Sequence, residues 1–340
     1  MPTRDHSSPL TSPLKRRGFT LPPTSALLTA LGVTLAIVLF GRIPVDARWA
    51  ADLSNAAHGP AFALVTLILI IVLRRRAQAR AGHVLSAYAL AVAGALALGG
   101  AIEVLQLLTG RDASFGDLWR DVLGALAAAG FCMVLDPRIR VLRRSIVARA
   151  CGLVVGIASS LLLVAPLVST AAAYLQRSQL FPVLADFSTP FSTHFVGAYS
   201  SVIVARGALP EEMRRDDGAD VGLHARVTGS GGWAVAVWEP VRDWRRYDRV
   251  CVELANPTPE KLAIRVRVRD RRSGSDRRRG VLGTIEIPPQ TRGTASLRLN
   301  DPDRVREDLP VDLADVRGLV LVRGPGSRAR EFYVLRIWLE

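Results

Sequence analysis

Apolar runs long enough to cross a lipid bilayer dominate the first half of this chain of 340 residues. About 17 to 25 predominantly apolar residues in an α-helix match the thickness of the hydrocarbon core. Backbone groups inside hydrocarbon must be hydrogen-bonded within the protein, which restricts such runs to helices or closed barrels. We predict five helical spans, near residues 24–41, 57–73, 84–108, 118–135 and 151–174.

Arginine and lysine are unevenly distributed among the segments that join these runs. They concentrate in the N-terminal tail, in the loop after the second run and in the loop after the fourth run. By the positive-inside rule these three segments are cytoplasmic, and an odd number of spans carries the chain after about Gln176 to the outside. The sequence therefore predicts a multi-pass plasma-membrane protein with a cytoplasmic N terminus and an extracytoplasmic C-terminal domain.

One alternative applies to the first apolar run. Val45-Asp46-Ala47 resembles a small-residue cleavage site, so the run could be a signal peptide. The run is long enough to span a bilayer and follows a long basic tail, which favours a membrane span. The tail itself, residues 1–23, is rich in Pro, Ser and Thr and is expected to be disordered.

The formal net charge of +14 comes almost entirely from arginine. Many of these arginines lie beside apolar spans, where they act as topology signals, so we predict no nucleic-acid partner. The three cysteines, Cys132, Cys151 and Cys251, have no metal-type spacing. We therefore expect no disulfide framework, no metal site and no cofactor.

Ionisable and amide side chains interrupt the apolar runs at their predicted outer ends: His58, Glu103, Gln106, Arg111, Asp117 and Asp121. Charges near hydrocarbon are costly and are kept where they face a bundle interior, a cavity or one another. Glu103 and Gln106 are three residues apart and share a helix face, and Arg111 is the expected partner of Glu103. We predict that the six side chains converge in one water-accessible site and list them as catalytic candidates.

Other interpretations of this cluster remain open. Ser114 followed three residues later by Asp117 is a capping box, so Asp117 could serve only to start a helix. A His with carboxylates could perform general acid–base chemistry or hold a metal. The spacings match no known set of zinc ligands, which favours the acid–base interpretation.

The same residues resemble the VanZ-like family of small membrane proteins. The family's His, Glu, Gln, Gly-Arg and Asp stand here as His58, Glu103, Gln106, Gly110-Arg111 and Asp117. The family Asn is Asp121, and the Asp-Lys pair before the His is Ser54-Asn55. The resemblance covers about residues 24–137 and implies a helical membrane module, with a namesake associated with resistance to a glycopeptide antibiotic.

From about Phe181 the chain changes to short alternating runs separated by Gly, Pro and Asp, which is typical of an all-β domain. We predict strands at residues 221–227, 233–238, 250–256, 263–270, 283–287, 294–299, 318–323 and 332–339. Their spacing predicts a sandwich or jelly roll. The fold class is thus a multi-domain chain in which an α-helical transmembrane bundle precedes an all-β sandwich.

The segment from Asp243 to Pro257 resembles the galactose-binding-like jelly rolls that are common among carbohydrate-binding modules. The resemblance implies sugar binding through aromatic faces, for which the candidates are Trp233, Trp244 and Tyr247, whereas Trp238 is interpreted as core. Relatives often hold calcium through an Asp where Leu335 stands here, so no calcium is expected.

These patterns predict four segments: a basic tail at 1–23, a VanZ-like module at 24–137, a cytoplasmic loop and fifth span at 138–176, and an extracytoplasmic β-sandwich at 177–340. Two functions stay open. One is a cell-envelope membrane protein that binds or modifies a surface glycan or glycolipid, with membrane lipids as further partners. The alternative is a membrane-embedded enzyme acting on a lipid-linked sugar or phosphate, with His58, Glu103 and Asp121 as acid–base groups. The ligand, the presence of catalysis and the oligomeric state are left open.

Overall fold

The computed structural model describes residues 23–40, 47–76, 84–108, 114–139, 145–214, 220–229, 231–273, 279–299 and 311–340. Its helices are α1 (Thr24–Phe40), α2 (Arg48–Arg76), α3 (Val84–Leu108), α4 (Phe115–Leu135) and α5 (Ser145–Leu180). Four of them, α2 to α5, are long and apolar enough to cross a membrane, whereas α1 is a shorter apolar helix of 17 residues. These helices indicate a membrane protein.

Three helices, α2, α4 and α5, extend beyond the apolar runs that identified them, whereas α3 coincides with its run. Helix α2 has 29 residues and begins at Arg48, well before the predicted start at residue 57. Helix α5 has 36 residues, so at about 1.5 Å per residue it is longer than a hydrocarbon core of about 30 Å. Hydropathy identifies only the part of a helix that fits the hydrocarbon core. The helix itself continues through polar residues, because its backbone hydrogen bonds do not depend on hydropathy.

The chain divides into two compact units. The helical unit comprises Met1–Arg42 and Ala57–Ser160, and the β unit comprises Ile43–Ala56 and Leu161–Glu340. Glycines allow the helices of the helical unit to approach closely, as is common between membrane helices. A Cβ atom on Gly124 would overlap the carbonyl oxygen of Gly59, and one on Gly130 would lie 2.8 Å from the backbone nitrogen of Gly156.

Two antiparallel sheets form the sandwich of the β unit. The strands are β1 (Val183–Asp186), β2 (Val196–Ser200), β3 (Val202–Ala208), β4 (Val221–Val227), β5 (Trp233–Trp238), β6 (Arg249–Asn256), β7 (Leu262–Asp270), β8 (Val281–Ile287), β9 (Thr291–Arg298), β10 (Val316–Arg323) and β11 (Glu331–Leu339). Sheet A has the order β3-β4-β11-β6-β9, with β1 also paired to β11, and sheet B has the order β2-β5-β10-β7-β8. The predicted fold class is confirmed.

Alternating apolar side chains build the core between the two sheets. Along β5, Trp233, Val235 and Val237 are buried and belong to this core. Trp233 stacks on Phe332 of β11 with ring centroids 4.8 Å apart, which joins sheet B to sheet A. Aromatic pairs of this kind add about 0.5–1.5 kcal/mol to the gain from area burial.

The eight predicted strands correspond to β4–β11, whereas β1, β2 and β3 are missing from the prediction. Strands β2 and β3 lie at the edges of sheets B and A, and most of their residues are at least partly exposed. Edge strands with solvent on several positions lack the regular apolar alternation on which sequence-based prediction depends.

Candidate functional site

His58 and Asp121 form the centre of the polar cluster in the helical unit. His58 Nδ1, on α2, lies 3.1 Å from Asp121 Oδ1, on α4, and the side chains are 12% and 1% exposed. The second carboxylate oxygen, Asp121 Oδ2, is buried and has no hydrogen-bond partner within the described part of the chain. Gly99 of α3 makes room for it, since a Cβ there would lie 2.8 Å from that oxygen.

Glu103 holds the start of α4. Its Oε2 accepts a hydrogen bond of 2.8 Å from the backbone N–H of Ser114, and the Ser114 hydroxyl accepts one of 3.1 Å from the N–H of Gly116. The other oxygen, Glu103 Oε1, is buried without a hydrogen-bond partner among the residues that the structure describes. Glu103 also interacts electrostatically with His58 and Asp121, so the three side chains share one neighbourhood.

The other predicted members of the cluster have different surroundings. Asp117 pairs with Arg120 one turn later at 2.6 Å and lies close enough to His58 to interact electrostatically. Ser114 is the N-cap residue, as the capping box predicts. Gln106 is buried on α3. Arg111, the expected partner of Glu103, and Gly110 before it lie outside the described residues.

This arrangement suits proton transfer. His58 can exchange a proton with a bound molecule while Asp121 orients the ring, which is the geometry of a general base with its orienting carboxylate. Among the described residues, no group of three or more His, Cys, Asp or Glu side chains is arranged to hold a metal ion.

The aromatic candidates of the β unit are placed differently from the prediction. Trp233 is 2% exposed and Trp244 is fully buried, and the Trp244 indole N–H donates to the carbonyl of Val241 at 2.6 Å. Core side chains cover both indoles, so neither offers a face to a ligand in this conformation. Tyr247 is half-buried and packs edge-on against Phe181 with ring centroids 5.5 Å apart.

Trp238, interpreted from the sequence as core, is instead half-buried on the outer face of sheet B. Trp238 is the last residue of β5, and its side chain lies on the opposite face of the strand from that of Trp233. Glycines on both neighbouring strands leave space for its indole. A Cβ on Gly197 of β2 would lie 2.7 Å from Nε1, and one on Gly318 of β10 would lie 2.7 Å from Cε3. The ring therefore extends across the backbones of three adjacent strands.

Two side chains hold the Trp238 ring in this position. Its Nε1–H donates to the hydroxyl of Tyr199 at 3.0 Å, and the two rings meet edge to face at 6.2 Å. The guanidinium carbon of Arg269 lies 5.0 Å from the indole centroid, within the range of a cation–π contact. Tyr199 belongs to β2, a strand that sequence reasoning missed.

A cleft of about 1020 Å³ opens beside this ring. It lies entirely in the β unit, and Trp238 and Tyr199 line it together with Arg48 and Trp49 from the first turn of α2 and Tyr174 and Arg177 from the last turns of α5. We call it the platform cleft. Ligand sites commonly have volumes of about 300–1,000 Å³, so it has room for several sugar rings.

Glu239, the residue after Trp238, connects the helix ends to the sandwich. Its carboxylate accepts hydrogen bonds from the backbone N–H of Arg48, at 2.7 Å, and from the hydroxyl of Tyr174. The guanidinium of Arg177 donates to the carbonyls of Trp238 and Glu239. These contacts attach the backbone next to the aromatic ring to the two helix ends and use both oxygens of the carboxylate.

Asp270, at the other side of the cleft, is also fully engaged. It accepts hydrogen bonds from the Ser273 hydroxyl at 2.6 Å and the Asp312 N–H at 2.9 Å, and it pairs with Arg279 at 3.3 Å. Burial opposes ionisation, but these donors outweigh it and lower the pKa of the Asp270 carboxyl below its usual value. Asp270 is therefore charged at neutral pH and directed at protein partners.

No protein-family model and no curated protein matches this chain. Among solved structures, this chain is similar to a family 11 carbohydrate-binding module from Clostridium thermocellum in complex with a β-1,3-1,4-mixed-linked tetrasaccharide. The identity is 15%, the match covers 46% of this chain and 93% of that chain, and the TM-score is 0.33. A xylan-binding domain of carbohydrate-binding module family 22 is similar at 12% identity (46% and 90%, TM-score 0.31). An exo-β-agarase is similar at 12% identity (46% and 24%, TM-score 0.36).

Proposed function

We propose that this chain is a membrane protein whose β unit binds a saccharide in the platform cleft. The observation that carries the proposal is the indole of Trp238, which lies across three strands at the edge of a cleft large enough for several sugar rings. Aromatic faces stack on the apolar faces of sugar rings, and a ring already held by Tyr199 loses little freedom on binding.

The position of the cleft at helix ends supports a saccharide of the cell envelope. Arg48 begins α2 and Arg177 lies in the last turn of α5, and both helices are long and apolar enough to cross a membrane. Arg74, Arg75 and Arg76 end α2, and by the positive-inside rule we expect that end to be cytoplasmic and the β unit to be extracytoplasmic. The VanZ-like pattern adds a link to the envelope, where glycopeptide antibiotics act.

Replacing Trp238 with alanine is expected to weaken saccharide binding at least about tenfold, because a stacked ring contributes on the order of 1.4 kcal/mol or more. The measurement is isothermal titration of the full chain in lipid nanodiscs with gluco-, xylo- and galacto-oligosaccharides. The Trp238→Phe variant should recover part of the affinity.

Trp338→Ala is the matched control, because Trp338 is another half-buried tryptophan, on β11 of sheet A, with its Nε1–H donating to Glu340. Its removal should leave saccharide affinity unchanged. The proposal would be contradicted if both alanine variants lost the same saccharide affinity, or if Trp238→Ala left the affinity unchanged.

A second candidate function is proton-transfer catalysis in the helical unit, on a lipid-linked sugar or phosphate. It is favoured by the 3.1 Å contact of His58 with Asp121 and by the buried, unsatisfied oxygen of that carboxylate within the described part of the chain. We expect Asp121→Asn to lower turnover by about 10²-fold or more, because His58 would lose the carboxylate that orients it and a general base usually contributes at least that factor. The assay is release of sugar or phosphate from lipid-linked saccharides in reconstituted vesicles. Turnover that persists in the Asn variant would remove this candidate.

A further inference from the structure

The charges around the platform cleft are strongly unbalanced. Among the residues that the structure describes, its lining contains six arginines and two carboxylates: Arg48, Arg177, Arg242, Arg269, Arg271, Arg317, Glu239 and Asp270. A cleft lined mainly by one sign of charge attracts ligands of the opposite sign, because its low-dielectric walls concentrate the electric field. The charge that a ligand encounters in the cleft therefore depends on which of these groups already form ion pairs or hydrogen bonds with the protein.

Both carboxylates are engaged inside the protein. Glu239 accepts from the Arg48 backbone N–H and the Tyr174 hydroxyl, and Asp270 accepts from Ser273 and Asp312 and pairs with Arg279. Each of the four carboxylate oxygens therefore accepts at least one hydrogen bond from the protein. A ligand hydroxyl or cation would therefore find few anionic partners here.

The guanidinium groups at the rim are far less neutralised. Arg242 has a side chain that is 62% exposed, and it makes a long ion pair of 3.9 Å with Asp315. Asp315 also pairs with Arg317 at 2.8 Å, so one carboxylate serves two arginines. Arg271 is exposed at the same cleft, and the Arg269 guanidinium lies over the Trp238 ring. Guanidinium is the group best suited to bind carboxylate or phosphate in a bidentate manner.

We infer that the ligand of the platform cleft is an anionic saccharide, whose ring stacks on Trp238 while its carboxylate or phosphate binds the arginines at the rim. The inference rests on the proposed function and adds the charge of the ligand. Two sources share this chemistry: a soluble acidic glycan, and a lipid carrying an acidic sugar headgroup. Because the cleft lies at the ends of α2 and α5, both sources would meet it near a membrane surface.

The test compares acidic and neutral probes of otherwise equal structure. In solution, the full chain in nanodiscs is titrated with 1,4-linked oligoglucuronates and with gluco-oligosaccharides of the same linkage and length. At the membrane, the probes are phosphatidylcholine vesicles containing glucuronosyl diacylglycerol or glucosyl diacylglycerol. We expect the acidic member of at least one pair to bind about tenfold more tightly, with a preference that weakens as salt is raised. The pair that shows the preference identifies the source.

The double variant Arg242→Gln/Arg271→Gln should remove this preference, so that its affinity for the acidic probe falls to that for the neutral probe. The matched control, Arg298→Gln/Arg336→Gln, removes the same charge from exposed positions on sheet A and should retain the preference. Equal affinity for acidic and neutral probes, or loss of the preference in the sheet A control alone, overturns the inference while saccharide binding through Trp238 stands. Absence of binding to every probe, with no effect of Trp238→Ala, instead overturns the proposed function itself.

Discussion

Replacing Gly124 with alanine is expected to lower the free energy of unfolding of the helical unit by about 3 kcal/mol or more. A Cβ at this position of α4 would overlap the carbonyl oxygen of Gly59 on α2. The atom it meets belongs to the backbone, so the conflict is relieved only if two helices separate. The same separation would draw Asp121 away from His58, which lies next to Gly59 in α2. The measurement is thermal unfolding of the full chain in detergent micelles.

Gly100→Ala is the control for Gly124→Ala. Gly100 is also inside an apolar helix, α3, but a Cβ there meets no atom within 4 Å. The higher helix propensity of alanine should make this variant neutral or more stable by up to about 1 kcal/mol. If the two substitutions had the same effect, the close contact between α2 and α4 would not exist as described.

Replacing Trp233 with alanine is expected to cost about 3–5 kcal/mol of stability in the β unit. The indole is 2% exposed and stacks on Phe332, so its removal leaves a large cavity between sheets A and B. Saccharide affinity of the molecules that remain folded should not change, because Trp233 does not line the platform cleft. Unfolding is followed by tryptophan fluorescence in urea, and affinity by titration below the transition.

The comparison with Trp238→Ala separates the two roles of tryptophan in β5. Trp238 is half-buried on the outer face, so its removal should affect affinity far more than stability. If Trp233→Ala instead remained stable but lost saccharide binding, Trp233 would be part of the ligand site. Both tryptophans belong to one strand of six residues, which makes the pair a direct test of its register.

The polar cluster of the helical unit illustrates what spacing along a helix can predict. The sequence analysis grouped His58, Glu103 and Asp121 because charges near hydrocarbon need partners, and in the structure His58 and Asp121 lie 3.1 Å apart. The structure also gives partners that the spacing did not predict. Asp117 pairs with Arg120 one turn later, and Glu103 accepts the backbone N–H of Ser114. The first is an i,i+3 contact within one helix, whereas the second depends on how the segment before α4 approaches α3.

The platform cleft could not be predicted in the same way. Trp238 and Trp233 belong to one segment of alternating residues. A period of two shows that they lie on opposite faces of the strand, but it does not show which face packs against the other sheet. Tyr199 lies on an edge strand with a weak apolar pattern, and Arg48 and Tyr174 come from helices distant in sequence. Gly197 and Gly318 had no visible role until β2 and β10 were found on either side of β5.

The sequence by itself determined the helical segments, the strands β4–β11 and the order of the two modules, because apolar period and run length are local properties of a chain. Tertiary structure alone decided which tryptophan is core and which is exposed. It also decided that the ends of two helices share a cleft with sheet B, and that both acids in that cleft are already bonded to the protein. Burial and charge balance depend on which distant segments cover a side chain, and that information arises only when the sheets pair and pack.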